Sequence, residues 1–310
     1  MTWAVSLILF KQSEAVSPLA MNLFKNSVAG SLLFVTLLVG GGSWFAAHSA
    51  EDWVRIAISG VFGIAICDVL IFMALRRLGA GLLAVVDCCY APVIVLFSLL
   101  VLGEQPGGWS FALGAVLVVG GVLLATTERL PKLEGDPPPR GHGRLAGVLM
   151  GVVGIVFMAL GVVIVKPVLE GSGLVEITFL RLLAGLVVQF LWATLVPSQR
   201  EALAVFRTRS VWNTLLPASV LGSYVAMLFW LGGFKWADAS VASVLNQLSA
   251  VFTMVLAWVF LGERLSGRRT LGALAAVVGA ALILGGGEAE PAPPPPSVPA
   301  AVVSATPVAR

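Results

Sequence analysis

Five ionisable side chains, Lys25, Asp68, Asp87, Glu176 and Arg181, stand inside stretches that are otherwise apolar. A charge at the centre of a membrane helix costs about 2.5 to 3.5 kcal/mol on insertion scales, so each is expected to face a cavity, a partner or an ion path. Asp87 is the most informative. It sits in AVVDCCYAP, with Tyr90 three residues on and so on the same helical face. Asp68 and Asp87 are the two candidates for a proton-coupling carboxylate. Arg181 offers a planar fork of donors that suits a carboxylate or a phosphate; the alternative is an internal ion pair with Asp68 or Asp87. Tyr90, Tyr224, Phe229 and Trp230 are candidates to wall an amphipathic pocket, although packing is the commoner use of such residues.

Enzyme chemistry has little to stand on. The two histidines, His48 and His142, fall in loops, and no phosphate-cradling Gly-rich loop with its lysine, no HExxH and no GxSxG occurs. Cys67, Cys88 and Cys89 lie inside apolar runs without metal-ligand spacing and read as small packing residues. No cofactor, no metal and no catalytic residue is therefore expected. A net charge of +3 is too small to point to a nucleic-acid partner.

The elements that must position these residues are membrane helices. Hydrophobic residues make up 58% of 310 positions and charged residues 11%, with a mean hydropathy of +0.99; soluble chains keep roughly a quarter of their residues charged. Apolar runs long enough to cross a bilayer need about 20 residues. They occur near 19–39, 53–75, 80–102, 109–126, 145–165, 174–196, 211–234, 239–261 and 270–284, and MTWAVSLILFK at the start supplies a tenth, shortened one. Trp3, Trp44, Trp53, Trp109 and Trp236 fall near span ends and read as interface anchors.

Sliding the chain against itself shows a duplication. At a shift of 155, Lys11 meets Lys166, Phe24 meets Phe179, and Ala29-Gly30 meets Ala184-Gly185; at a shift of 159, Leu102-Gly103-Glu104 meets Leu261-Gly262-Glu263. Gly114 and Gly121 then match Gly272 and Gly279, and with Gly30 they read as close-packing positions. Five spans per half is an odd number, so the second half enters the membrane reversed. The expected fold is an all-α integral membrane protein of ten helices, the first truncated, arranged as two inverted five-helix repeats, with the substrate site near the midplane between them. The repeats occupy 1–126 and 145–287. A polar, Pro-rich linker at 127–144 joins them, and the Pro- and Ala-rich tail at 288–310 is expected to be disordered.

The repeat also pairs polar positions. Asp87 matches Asn246, which is followed by Gln247, Ser249 and Thr253; Asn22 and Asn26 share a face, and Asn26 matches Arg181. Two polar stripes, one per half, suit a pseudo-symmetric cavity. The candidate substrate-binding set is thus Asn22, Asn26, Asp87, Tyr90, Arg181, Tyr224, Trp230, Asn246, Gln247 and Ser249.

On the two LGE triplets, the Gly-Ala restarts at Gly114-Ala115 and Gly272-Ala273, and the Lys11 and Lys166 ends, the chain from Met1 to about Gly287 resembles the drug/metabolite transporter superfamily, in its EamA-type duplicated permeases. The resemblance implies a ten-helix permease that carries metabolites, amino acids or amphipathic drugs, mostly outward, by alternating access. It implies a structural role at helix ends for Glu104 and Glu263, a multi-pass location in the inner membrane, and both chain ends inside.

Two features depart from that pattern. In the second half 21 residues precede Lys166 within the span, whereas ten precede Lys11; ten helical residues rise about 15 Å, half the hydrocarbon thickness. The repeat favours a natural start upstream of Met1 over a half-length or re-entrant first segment. Basic residues outside the spans divide thirteen to four in favour of the loops after odd-numbered spans, the minority being Arg55, Lys166, Lys235 and Arg310. The positive-inside bias makes the crowded side cytoplasmic and puts the C-terminus outside. The partners expected are a small-molecule substrate, the lipid bilayer and, at most, a second copy in a homodimer. Two other classes stay open: a flippase or membrane enzyme acting on a lipid-linked substrate through Asp68 and Asp87, and a membrane subunit that needs an energising partner.

Overall fold

A computed structural model describes residues 1–13, 15–40, 48–103, 108–126, 141–262 and 266–285. They form ten helical segments: α1 (Thr2–Gln12), α2 (Pro18–Gly40), α3 (Ala50–Leu78), α4 (Ala80–Leu102), α5 (Gly108–Thr126), α6 (Gly141–Gly171), α7 (Leu174–Leu195), α8 (Arg209–Trp236), α9 (Ala239–Leu261) and α10 (Gly267–Gly285). A 3-10 segment, Pro197–Phe206, links α7 to α8. Six of these, α2, α3, α4, α6, α7 and α8, are long and apolar enough to cross a membrane on the described residues alone. Helices suit this composition because in lipid every backbone N–H and C=O must be satisfied within the segment. The outward faces carry Val35, Val39, Val116, Val187, Leu191 and Phe260, all exposed and apolar as a lipid-facing surface requires.

The packing respects a pseudo-two-fold exchange of the halves. Helix α1 lies against α8 and α9, and its counterpart α6 lies against α3 and α4; α2 packs on α8 as α7 packs on α3; α2 meets α7, α4 meets α9, and α5 meets α10. Exchanging each helix with its mate returns the same set of pairs.

Particular residues build this symmetry. The Leu-Gly pairs of the two triplets end α4 and α9, where Gly103 (φ 72°) and Gly262 (φ 65°) take the left-handed conformation that closes a helix C-terminus. Glu104 and Glu263 lie outside the described residues, as do Trp44, the tail and residues 127–140. The last positions assigned to the linker, 141–144, are already helical: past the prolines at 137–139 nothing stops the backbone of α6 from starting early. Lys11 Nζ reaches the Leu75 carbonyl near the C-terminus of α3 at 3.5 Å, and Lys166 Nζ reaches the equivalent Phe234 carbonyl of α8 at 3.0 Å. Each lysine thus places its charge against the negative end of a neighbouring helix. In the α5–α10 contact a Cβ on Gly279 would stand 2.5 Å from the Gly114 carbonyl oxygen, and one on Gly121 would collide with the Gly272 carbonyl. Only glycine lets these two backbones meet.

Candidate functional site

Both α3 and α8 contain a π-helical turn, Val61–Ile66 and Val220–Ala226, at positions equivalent under the 159-residue shift. Such turns widen a helix locally and turn its following residues by part of a turn. Gly63 and Gly222 lie within them, at the wall of a cavity of about 430 Å³ between the halves. Helices α1 to α4 and α6 to α9 contribute to this wall, and among the described residues none of α5 or α10 does. Its lining is itself paired: Trp3 with Met158, Leu83 with Ala242, and Asp87 with Asn246.

Of the expected residues, Asp68, Asp87, Arg181, Trp230, Asn246 and Ser249 reach this one cavity, joined by Lys25 and Thr253. Asp68 is ion-paired: its Oδ2 lies 2.6 Å from Lys25 Nζ, which also donates to Asn26 Oδ1 at 3.2 Å. The internal pair weighed for Arg181 is therefore made by Lys25 instead. Arg181, 1% exposed, donates from Nε to Ser59 Oγ at 2.6 Å, and Ser59 in turn donates to the Gly161 carbonyl. Its guanidinium carbon lies 5.8 Å from the centre of the Trp230 ring, within cation–π range. Gly60 and Gly63 make the groove for it: a Cβ at Gly63 would stand 3.2 Å from Arg181 Nη2. Among the described residues Arg181 forms no ion pair, and Asp87 has neither an ion pair nor a hydrogen-bonded partner.

Four expected residues do not line the cavity. Asn26 is buried and donates to Gln189 Oε1 at 3.1 Å, in the α2–α7 contact. Asn22, one turn earlier, is fully buried with no partner for its amide among the described residues. Tyr224 turns to the far side of α8, its hydroxyl 2.7 Å from that of Thr36. Tyr90 is buried against Trp230 and Phe234, because α4 breaks at Cys88 and Cys89, ahead of Pro92. The proline lacks the N–H that would bond one turn back and crowds the preceding carbonyl, so the face that Asp87 begins is not continued. The side chain of Gln247 lies outside the described residues. Phe229 does line the cavity, with much of its ring also facing outward, and Trp3 turns to the cavity rather than to an interface. Glu176 is away from the site, held by His48 Nε2 at 3.1 Å.

Ser59 was missed altogether, and Lys25 was expected to need a cavity, a partner or an ion path without being assigned to the site. Lys25 stands on the Asn22–Asn26 stripe, and an unpaired lysine beside Asp68 on the next helix was the signal available.

A paired-helix bundle with a charged cavity on its pseudo-dyad defines a duplicated, multi-pass membrane permease. The chain belongs to the EamA-like transporter family, whose model matches residues 1–127 and 145–285. It is 27% identical over 224 residues to the protein PecM of Dickeya dadantii (strain 3937), covering 71% of this chain and 70% of that one. It is 24% identical over 262 residues to the pseudopaline exporter CntI of Pseudomonas aeruginosa (strain UCBPP-PA14), covering 84% of each. A crystal structure of a protein 21% identical superposes with a TM-score of 0.66 over 91% of this chain and 92% of that one, a likeness of fold.

Proposed function

We propose that this permease is a secondary transporter of the inner membrane that exports a small polar or amphipathic metabolite by alternating access. The observation that carries the reading is the cavity itself. It lies between two halves related by a pseudo-two-fold, it holds buried charge, and its volume suits a metabolite. The name of the relative CntI as an exporter supports the outward direction. Rocking one half against the other would open the same residues first to one side and then to the other.

Asp87 is the carboxylate we assign to coupling, since Asp68 is already committed to Lys25. A proton and a cationic group of the substrate competing for Asp87 would tie the flux of one to the counterflow of the other. The test is uptake into proteoliposomes of purified protein, screened against amino acids, nucleosides, sugar phosphates and cationic drugs, with and without an imposed pH gradient. Flux of one class that rises with the gradient supports the reading, and flux indifferent to it with both aspartates intact removes the coupling.

A second reading, movement of a lipid-linked substrate, is favoured by Phe229 and Phe252, which line the cavity and are also 76% and 44% exposed. It predicts activity on lipid substrates and none on soluble ones in the same vesicles.

A further inference from the structure

Four side chains close a ring of polar contacts that begins and ends on α3. Asp68 accepts from Lys25 Nζ at 2.6 Å, and Lys25, on α2, also donates to Asn26 Oδ1 at 3.2 Å. Asn26 Nδ2 donates across the α2–α7 contact to Gln189 Oε1 at 3.1 Å. Gln189 Nε2 then donates to the Ile64 carbonyl at 3.3 Å, one turn before Asp68 and inside the π turn Val61–Ile66. Lys25, Asn26 and Gln189 are at most 2% exposed. Lys25 and Asp68 line the cavity, whereas Asn26 and Gln189 do not. The ring thus ties the cavity wall and its π turn to the contact between the halves, and out of water such charge-assisted, same-direction hydrogen bonds reinforce one another.

Nothing closes the same ring on the other side of the pseudo-dyad. The mates of Asp68, Lys25 and Gln189 are Met227, Leu180 and Phe34, which offer no such bonds. The mate of Asn26 is Arg181, whose Nε is given to Ser59. The mate of Ile64 is Ser223, in the second π turn, and its Oγ has no partner among the described residues. That second turn is held by one neutral, half-buried bond between the hydroxyls of Tyr224 and Thr36 at 2.7 Å.

Inverted repeats change access when the two halves exchange conformations. Identical halves would make the two states equal in energy, so a contact present on one side alone sets their ratio. Resting on the permease reading above, we propose that the Asp68–Lys25–Asn26–Gln189 ring is the latch that holds the bundle in the described state, with Asn26 and Gln189 as its positioning residues. Both act through others: Asn26 through Lys25, and Gln189 through the backbone of the π turn. Opening the ring favours the mirror state, in which the second π turn takes the arrangement of the first.

The experiment needs no substrate, because the chain carries its own reporter. Cys67, 1% exposed, and its mate Ala226, 7% exposed, line the cavity at the ends of the two π turns. The full chain is prepared with Cys88→Ala and Cys89→Ala, which leaves Cys67 as its single thiol, and separately with Cys67→Ala added and Ala226→Cys as the single thiol. Each is reconstituted in vesicles and alkylated with N-ethylmaleimide below its measured melting temperature, with and without Asn26→Leu or the near-isosteric Gln189→Met. Either substitution should quicken labelling of Cys67 at least about fivefold, the change in a two-state ratio that loss of a buried hydrogen bond gives. The same substitution should slow labelling at Ala226→Cys, because a shift to the mirror state exchanges the two surroundings. Should Asn26→Leu fail to fold, Gln189→Met carries the test alone. Faster labelling at both positions, a change at Cys67 alone, or no change at either would overturn the latch. A flux screen without a single substrate in the same vesicles would remove the permease reading instead, and the labelling would still decide the latch.

Discussion

Asp68 and Lys25 show how two buried charges in this bundle answer each other. Asp68→Asn leaves Lys25, 2% exposed, without its counter-ion; removing one partner of a buried pair typically costs about 3 to 5 kcal/mol. The single variant should therefore melt well below the parent in detergent, and the double variant Lys25→Met with Asp68→Leu should recover most of the loss. A double variant as unstable as the single one would show that the pair is not what the stability rests on. Ser59→Ala tests the seat of Arg181: loss of a hydrogen bond to a charged group is worth about 1.5 to 3 kcal/mol. It should raise KM for substrate more than it lowers the melting temperature, and a variant with the parent's KM would contradict that seat. Residue chemistry was legible where an ionisable group interrupts an apolar run, as at Asp87 and Arg181. Which charges would pair was not legible, because Asp68 lies 43 positions from Lys25 on another helix, beyond the reach of any local spacing rule.

Helix-level regularities carried further than residue-level ones, with two instructive failures. The glycine matches at Gly114, Gly121, Gly272 and Gly279 read as close-packing positions, and all four fall in the α5–α10 contact, because a close crossing of backbones leaves no other choice of residue. Gly279→Leu should destabilise the bundle by about 1 to 3 kcal/mol through overpacking, whereas Gly120→Ala, where an added Cβ meets nothing within 4 Å, should leave the melting temperature unchanged. Equal effects of the two would contradict the crossing. Tyr90 was placed on the Asp87 face by ordinary helical spacing and Tyr224 was offered as an aromatic pocket wall, and both lie where regular helix geometry is interrupted. Tyr90 follows the break before Pro92, and Tyr224 sits inside the π turn Val220–Ala226. A proline near the next turn is visible in the sequence; a π turn has no signature there.

For the molecule as a whole, the duplication was readable because each half must bury equivalent faces, so matched lysines, glycines and polar stripes recur at nearly constant shift. The cavity breaks that symmetry most plainly in its charges: the mate of Asp87 is Asn246, and Arg181 replaces Asn26. Charge therefore tells the two halves apart at the cavity. The most direct measurement is counterflow in proteoliposomes of the parent beside Arg181→Gln and Asp87→Asn, each shown to be folded by its melting curve. The permease account predicts a substrate whose flux in the parent falls at least about tenfold in one variant or both, as loss of a bidentate or ionic contact should give. Parent-like flux in both variants would contradict it, because the cavity between the halves would then not be where the substrate binds.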